Sequence, residues 1–395
     1  MLFEAFAGIV FGSLGAIPFI HPNLIMQTLG GFFGSSVSLA IFAVSVSVSH
    51  AFFSAAPSLM VINGFSVRKE GYDLAKIFKI SLLALAASIA FLPVAYFLLP
   101  FLKASWGESY KFLFLTIIIS NFASEKGAKA AIAGICIFLL SGTFGTVTFF
   151  RSIVAEPLFP MLSGFFAVPA LLLGKEKGME GINFGIDFVE KINIGEQNPF
   201  GIFNDEKIIV LASIFASAIS TLFPAMTVGV MLGLLMLILR DEKALLVAVP
   251  ALLVSKVFFD LAAAGITGAT RSYASVLALP LMEFYGIAGL LMVCGIALMA
   301  GCLAVAFCIK LEGKLGKLQA FIETEKMREA ILAAIVLLVL LFGGVQGILI
   351  TATSASLGIL GQKIGAKRSY LMGALLVPAL IFQFGIGEEV KALLF

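Results

Sequence analysis

One long uncharged stretch restricts the fold of this chain more than any other feature. Residues 5–67 form a run of 63 residues without Lys, Arg, Asp or Glu. A helix needs about 20 consecutive apolar residues to cross the hydrocarbon core of a bilayer. A soluble protein of this length could not bury so much apolar surface. The stretch therefore predicts an integral membrane protein, with two membrane spans and a shorter third element in this region.

The rest of the chain continues in the same way. Apolar segments follow at 80–102, 112–122, 130–150, 157–173, 208–239, 244–264, 284–309, 330–350 and 370–384. Several are too short to cross a bilayer alone, which is typical of re-entrant or half-helices. We predict an all-α integral membrane protein with roughly 10–12 transmembrane or re-entrant helices, multi-pass in the cell (plasma) membrane.

The two halves of the chain resemble each other. At a shift of 206 positions, Ser-His-Ala-Phe-Phe at 49–53 matches Ser-Lys-Val-Phe-Phe at 255–259. At a shift of 209 positions, Val-Pro-Ala-Leu at 168–171 matches the same four residues at 377–380. The nearly equal shifts favour a duplication over chance. We predict repeats at residues 1–175 and 207–395, joined by a polar loop at 176–206.

Prolines interrupt the apolar zones of both halves. We predict helix breaks at Pro18, Pro22, Pro57 and Pro224. Backbone groups freed at a break are tolerated at membrane depth only inside protein or beside a wet cavity. A freed helix N-terminus can hold an anion, and freed carbonyls can hold a cation. Inverted repeats with broken helices are typical of secondary transporters.

The first break places His21 between two prolines. Asn23 follows, and we predict that it caps the next helix. Two interpretations stay open for His21 and Asn23. They form a substrate or ion site at a helix N-terminus, or they belong to a plain helix-loop-helix connection at the membrane surface.

A second polar group contains Ser49, His50 and Ser58. Hydroxyls in an apolar helix often bond only to the carbonyl four residues earlier, and a single histidine is often structural. Both histidines of the chain nevertheless fall at predicted breaks. We therefore favour a substrate-binding role for these three residues.

The second half places charges inside an apolar segment. Lys256 and Asp260 are four residues apart, so they can pair on one helix face. Thr267, Thr270 and Arg271 follow in a Gly/Thr/Ser-rich segment that could form a second re-entrant loop. Ionisable residues within membrane spans are costly and point to function. Arg271 could neutralise an anionic substrate, whereas Lys256 and Asp260 could carry ion coupling or simply fix helix packing.

The charges Arg151 and Glu156 close the Ser/Thr-rich segment of the first half. They fit either an ion-coupling site or a boundary pair. The chain contains no Walker-type phosphate loop, no His-Glu-x-x-His zinc motif and no Gly-x-Ser-x-Gly elbow. We predict a protein that is not an enzyme and needs no cofactor or metal. A net charge of +3 without a basic tract predicts no nucleic-acid partner.

Three stretches resemble the permease family of tripartite tricarboxylate transporters (TctA), especially its shorter archaeal-type members. They are Gly-Ser-Leu-Gly-Ala-Ile-Pro-Phe-Ile-His-Pro-Asn at 12–23, Ser-His-Ala-Phe-Phe-Ser-Ala-Ala-Pro-Ser at 49–58 with Glu-Gly-Tyr-Asp-Leu-Ala at 70–75, and Pro-Leu-Phe-Pro-Met-Leu-Ser-Gly-Phe-Phe at 157–166. The match covers most of residues 5–175 and is weaker afterwards. Phe19 stands where the family usually has Gly.

The resemblance implies a permease for a small organic anion of the tricarboxylate or carboxylate class, coupled to Na⁺ or H⁺. It also implies a small membrane subunit and an extracytoplasmic binding protein as partners, and it leaves a homodimer open. Two alternatives remain from the residues alone. One is a translocase for a lipid-linked phosphate, which could use the same buried basic groups, and the other is an intramembrane enzyme.

Overall fold

A computed structural model describes residues 2–16, 21–60, 74–123, 127–173, 206–224, 226–239, 242–322 and 324–394. Every regular element in these ranges is a helix. The α-helices are α1 (Leu2–Gly12), α2 (Pro22–Leu29), α3 (Ser36–Met60), α4 (Leu74–Trp106), α5 (Tyr110–Ala123), α6 (Ala128–Phe150), α7 (Leu158–Leu162), α8 (Val168–Leu173), α9 (Glu206–Ser220), α10 (Val228–Leu239), α11 (Glu242–Thr267), α12 (Tyr273–Tyr285), α13 (Ile287–Ile322), α14 (Glu325–Lys363), α15 (Gly373–Gln383) and α16 (Gly387–Leu394).

Six of the described helices are long and apolar enough to cross a bilayer. The qualifying stretches are Ser36–Ala55, Lys76–Ser109, Ala128–Phe150, Leu246–Thr267, Ile287–Lys310 and Glu325–Lys363. Three shorter apolar helical stretches accompany them at Leu2–Ala16, Leu158–Leu173 and Arg368–Gln383. The predicted all-α membrane character is confirmed at this level.

The six stretches differ in how much protein covers them. The apolar window of α11 is 89% buried, whereas that of α14 is only 17% buried. The outer helices carry exposed aromatic side chains, among them Phe97 and Phe101 on α4. Large exposed apolar surfaces are rare on soluble monomers and mark contact with another apolar phase. Helix length and exposed apolar surface therefore point to the same bilayer environment.

The chain forms two compact units, and each unit combines two separate pieces of sequence. The first unit contains Met1–Ser105 and Ile192–Ala320, and the second contains Trp106–Lys191 and Phe321–Phe395. The predicted division at residues 175 and 207 follows the sequence repeat, whereas each compact unit takes one piece from either side of the polar loop.

In the first unit, α3 and α11 form the buried centre. Helices α1, α11 and α12 pack against α3, and α9 packs against α11. Phe91 of α4 meets Phe259 of α11 edge to face, with 6.2 Å between ring centroids. Phe53 of α3 meets Phe307 of α13 in the same way at 5.9 Å. The two central helices are thus covered by apolar and aromatic contacts on most sides.

In the second unit, some helices cross at very short distance. Helix α6 packs against α15, while α14 packs against α7, α8 and the π-helical turn Ser163–Ala167. A Cβ added at Gly145 of α6 would lie 2.0 Å from the carbonyl oxygen of Ala374. Small residues let membrane helices approach closely. Gly344, with φ of 59°, divides α14 into two straight parts.

Candidate functional site

The first half of the site is built on a close contact between α1 and α3. A Cβ at Gly12 would lie 1.8 Å from Oγ of Ser49, and a Cβ at Gly15 would lie 2.7 Å from the carbonyl oxygen of His50. Gly15 belongs to the 3₁₀ turn Ser13–Ala16 that extends α1. Only glycine allows this approach, so the end of α1 lies directly against the polar turn of α3.

His21 immediately precedes α2 and caps its N-terminus. Its Nδ1 accepts a hydrogen bond from the backbone N–H of Asn23 at 3.2 Å, and Pro22 occupies the first turn. An accepting Nδ1 requires the lone pair on that nitrogen, so a neutral ring carries its proton on Nε2. The prediction that Asn23 caps the helix is wrong, because its backbone donates to the side chain of His21 instead.

The two histidines of the chain lie near each other. The ring centroids of His21 and His50 are 6.5 Å apart, with the planes tilted by 49°. His21 is exposed and His50 is half-buried. The structure thereby brings together the two predicted polar groups of the first half. They lie where the end of α1 and the start of α2 come close to His50 of α3.

The other residues predicted for the first half of the site are Ser49, Pro57, Ser58 and Pro18. Ser49 is fully buried, and its Oγ donates to the carbonyl oxygen of Ser45 at 2.6 Å. The predicted helix break at Pro57 is wrong, because α3 continues through Pro57 and Ser58 to Met60. The side chains of Pro57 and Ser58 are outside the described part. Pro18 also lies outside the described residues. The hydroxyl of Ser49 thus bonds back to its own helix.

The second half places an ion pair inside α11. Nζ of Lys256 donates to Oδ1 of Asp260, and each residue keeps only 7% of its surface exposed. One residue earlier, Oγ of Ser255 accepts a hydrogen bond of 2.9 Å from Oγ of Ser88 on α4. The pairing predicted from the four-residue spacing is present, while its role stays a prediction.

Arg271 holds the end of α9. Its Nε donates to the carbonyl oxygen of Thr221 at 2.6 Å, and Nη2 donates to that of Leu222 at 3.1 Å. These carbonyls follow α9 and precede Pro224, where helical bonding stops. A cation near a helix C-terminus also compensates the negative end of the helix dipole. Arg271 therefore stabilises a helix end, in addition to any contact with a substrate.

The segment around Arg271 is a short connection between α11 and α12. Thr267 ends α11, and its Oγ1 donates to the carbonyl oxygen of Ala263 at 3.1 Å. Thr270 is exposed. Ser272 and Ser275 form a capping box at the start of α12, and Oγ of Ser275 also accepts from the backbone N–H of Arg271 at 3.0 Å. The caps fix Arg271 at the start of α12.

Arg151 and Glu156 belong to the second unit. Both are exposed on the connection between α6 and α7. The backbone N–H of Arg151 closes the last turn of α6 by bonding to Val147. The structure leaves their role as a site or as a boundary pair open.

Sequence reasoning missed two contacts of the first unit. Thr227 precedes α10, and its Oγ1 accepts from the backbone N–H of Val230 at 3.4 Å. Nζ of Lys103 on α4 donates to the carbonyl oxygen of Thr267 at 3.1 Å. A hydroxyl three residues before a helical N–H is a capping signal that the sequence does carry. The lysine contact joins residues 164 positions apart, so no local pattern reports it.

The described site residues therefore provide a capped helix N-terminus, two imidazoles and a buried ion pair. They also provide a guanidinium that is bonded to two carbonyl groups after the end of α9. Within the described ranges, no three or more His, Cys, Asp or Glu residues are grouped to hold a metal ion. Neither protein-family models, nor curated proteins, nor solved structures match this chain.

Proposed function

We propose that this chain is a secondary-active permease for a small organic anion of the carboxylate class, built from two repeated halves with broken helices. One observation carries the proposal. Helices α2 and α10 begin 206 positions apart, the shift at which the sequences also match. On this proposal the breaks in both halves fall at equivalent places.

One helix boundary supports the duplication. Helices α2 and α10 begin at Pro22 and Val228, which are 206 positions apart. His21 and Thr227, whose side chains accept from the first turns of α2 and α10, share this spacing. Unrelated segments would have no reason to share one shift across caps and helix starts.

Reciprocal hydrogen bonds in the second unit support it independently. Oγ of Ser141 donates to the carbonyl oxygen of Tyr370 at 3.1 Å, and Oγ1 of Thr351 donates to that of Pro160 at 3.0 Å. The two donors are 210 positions apart, and so are the two acceptors. Reciprocal contacts, in which i meets j and j′ meets i′, are expected between elements related by a two-fold axis.

The interruptions of the helices connect the proposed repeat with a transport function. The described residue before α2, His21, is not helical, and turns follow the end of α9 at Ser220 before α10 begins at Val228. Paired interruptions in an apolar chain are where secondary transporters bind substrate and coupling ion. Two helix N-termini and the basic side chains Lys256 and Arg271 favour an anion over a cation.

The resemblance to tripartite tricarboxylate transporter permeases favours a tricarboxylate or carboxylate as the anion and Na⁺ or H⁺ as the coupling ion. On this proposal the protein works in the plasma membrane without its own catalytic reaction. It takes a small membrane subunit and an extracytoplasmic binding protein as partners.

Reconstituted transport tests the proposal. The purified chain is placed in liposomes, and uptake of labelled citrate, succinate and acetate is followed under imposed proton and sodium gradients. We expect uptake of at least one carboxylate above that of protein-free liposomes, driven by one of the gradients. Absence of uptake and exchange for all three anions would refute the proposal. Inhibition by a lipid phosphate but not by carboxylates would instead favour the lipid-phosphate translocase.

A further inference from the structure

Burying the charges of Lys256 and Asp260 costs free energy, so stabilisation of the fold does not explain why this pair is present. Both residues lie in Leu246–Thr267, the most buried of the six candidate spans among the described residues, and both are 7% exposed. Removing two charges from water costs several kcal/mol for each ion, and a well-packed hydrophobic pair is often as stable. Charges within a membrane span are therefore functional hypotheses by default.

The position of the pair connects it with the proposed site. Lys256 and Asp260 stand 206 positions after His50 and Ser54, so the charged pair occupies the places of an imidazole and a hydroxyl. The preceding residue, Ser255, is bonded to Ser88 of α4. Helix α11 packs against α3, which carries His50, and against α12, which follows Arg271. The pair thus lies in the helix that joins both parts of the site.

We propose that the Lys256–Asp260 pair couples transport to protons. The inference rests on the proposed function as an anion permease. The carboxylate of the incoming anion replaces that of Asp260 on the ammonium of Lys256. The displaced Asp260 then takes up a proton on a carboxylate oxygen. Release of the anion reverses both steps, and the proton leaves as the ion pair forms again.

Charge balance supports this exchange. In the empty state, Lys256 contributes one positive charge and Asp260 one negative charge. In the loaded state, one carboxylate of the anion replaces the negative charge of Asp260, which is now neutral. The ammonium of Lys256 is thus paired with one carboxylate in both states, so neither state leaves this ammonium uncompensated in a medium of low dielectric constant. One proton accompanies each substrate carboxylate that binds in this way.

The same geometry argues against a sodium ion at Asp260. Hard cations bind several oxygen ligands at once. Here an ammonium group donates directly to Oδ1 of Asp260. A metal cation at that oxygen would meet the like charge of Lys256 at short range. A proton needs only one oxygen and no coordination shell.

Ionisable groups lie on several elements around the pair. The positive charges of Lys256 and Arg271 both act on the Asp260 carboxylate. Arg271 lies in the connection to α12 and donates to the end of α9. Helices that contact α11 also carry His50 on α3, Glu206 and Lys207 at the start of α9, Tyr273, Glu283 and Tyr285 on α12, and Lys76, Lys79, Tyr96 and Lys103 on α4.

The first experiment uses the unaltered protein. Liposomes containing the chain and a trapped pH-sensitive dye receive citrate or succinate outside, without a sodium gradient. We expect internal acidification that follows anion uptake and disappears when a protonophore is added. Exchange of labelled citrate without a pH change, or uptake driven only by sodium, would overturn the proton coupling and leave the permease proposal intact. Failure of citrate, succinate and acetate all to exchange would overturn the permease proposal as well.

A variant then assigns the coupling to one carboxylate. Asp260→Asn keeps a neutral group in the place of a protonated carboxyl. We expect exchange of labelled citrate to continue, and accumulation driven by a proton gradient to be lost. Glu283→Gln on α12 removes an exposed carboxylate and serves as the matched control, with both activities retained. Accumulation by Asp260→Asn equal to that of the unaltered protein would overturn the assignment.

Discussion

Helices α3 and α11 are both central in the first unit but use different polar groups. On α3, serines and His50 lie against glycines of α1 and of the 3₁₀ turn that follows it, so small neutral groups face a closely approaching backbone. On α11, Lys256 and Asp260 form a buried ion pair. Similar helices can thus provide a neutral polar contact in one place and a charged one in the other.

The helix ends near α3 and α11 also differ in the groups that stabilise them. In the first half, the neutral acceptor Nδ1 of His21 caps the N-terminus of α2. In the second half, the guanidinium of Arg271 holds carbonyls at the C-terminal end of α9. The charged groups concentrate around α11. We therefore expect substitutions there to have larger effects than those around α3.

Breaking the ion pair should have the largest effect. Lys256→Met leaves Asp260 as a buried carboxylate without its ammonium partner, which typically costs about 3–5 kcal/mol. We expect a clear fall in the melting temperature in detergent. The double variant Lys256→Met/Asp260→Leu should regain most of that loss, because it removes both charges. A double variant less stable than the single one would contradict this description of the pair.

Removing the guanidinium should have the next largest effect. Arg271→Met takes two charge-assisted hydrogen bonds from the carbonyls of Thr221 and Leu222, and bonds to charged groups contribute about 1.5–3 kcal/mol each. Partial exposure of Arg271 reduces the total to about 2–3 kcal/mol. Arg271→Lys keeps the charge but loses the planar guanidinium. Its melting temperature should therefore lie between those of the unaltered protein and Arg271→Met. Proteolysis near the α9–α10 connection and thermal melting would measure the loss.

Filling the glycine contact of α3 should cost less. Gly12→Ala places a methyl group where Oγ of Ser49 and the carbonyl oxygen of Val46 lie. Overpacking of this kind costs about 1–3 kcal/mol. Gly31→Ala is the matched control, since no atom lies within 4 Å of its added Cβ. Equal melting temperatures for the two variants would show that α1 and α3 do not approach as closely as described.

Removing the cap of α2 should have the smallest effect. His21→Ala deletes the acceptor for the N–H of Asn23, and loss of a cap costs about 1 kcal/mol. His21→Asn supplies another capping oxygen and should restore stability without an imidazole. Anion exchange measured on both variants separates the two roles of His21. A capping role alone predicts normal exchange for His21→Asn, whereas a substrate contact predicts a loss in both.

Parts of the site followed directly from sequence spacing. Two charges four residues apart on a helix predict a pair, and Lys256 and Asp260 form one. A helix start in this region was also predicted, but with Asn23 as its cap, whereas α2 begins at Pro22 with His21 as its cap. Histidine is a less common cap than asparagine, so propensity favoured Asn23. The preceding Pro22 lacks an N–H, and the next available donor is the backbone of Asn23 itself.

The sequence by itself determined that the chain is helical and apolar enough for a bilayer, because both properties depend on runs of neighbouring residues. It also predicted a repeat with broken helices, and this stays a prediction. Only the tertiary structure decided that Arg271 holds the end of α9, that Gly12 lies against Ser49, and that each compact unit combines two pieces of chain. These contacts join residues far apart in sequence. Their partners are set by the path of the whole chain, which no local pattern contains.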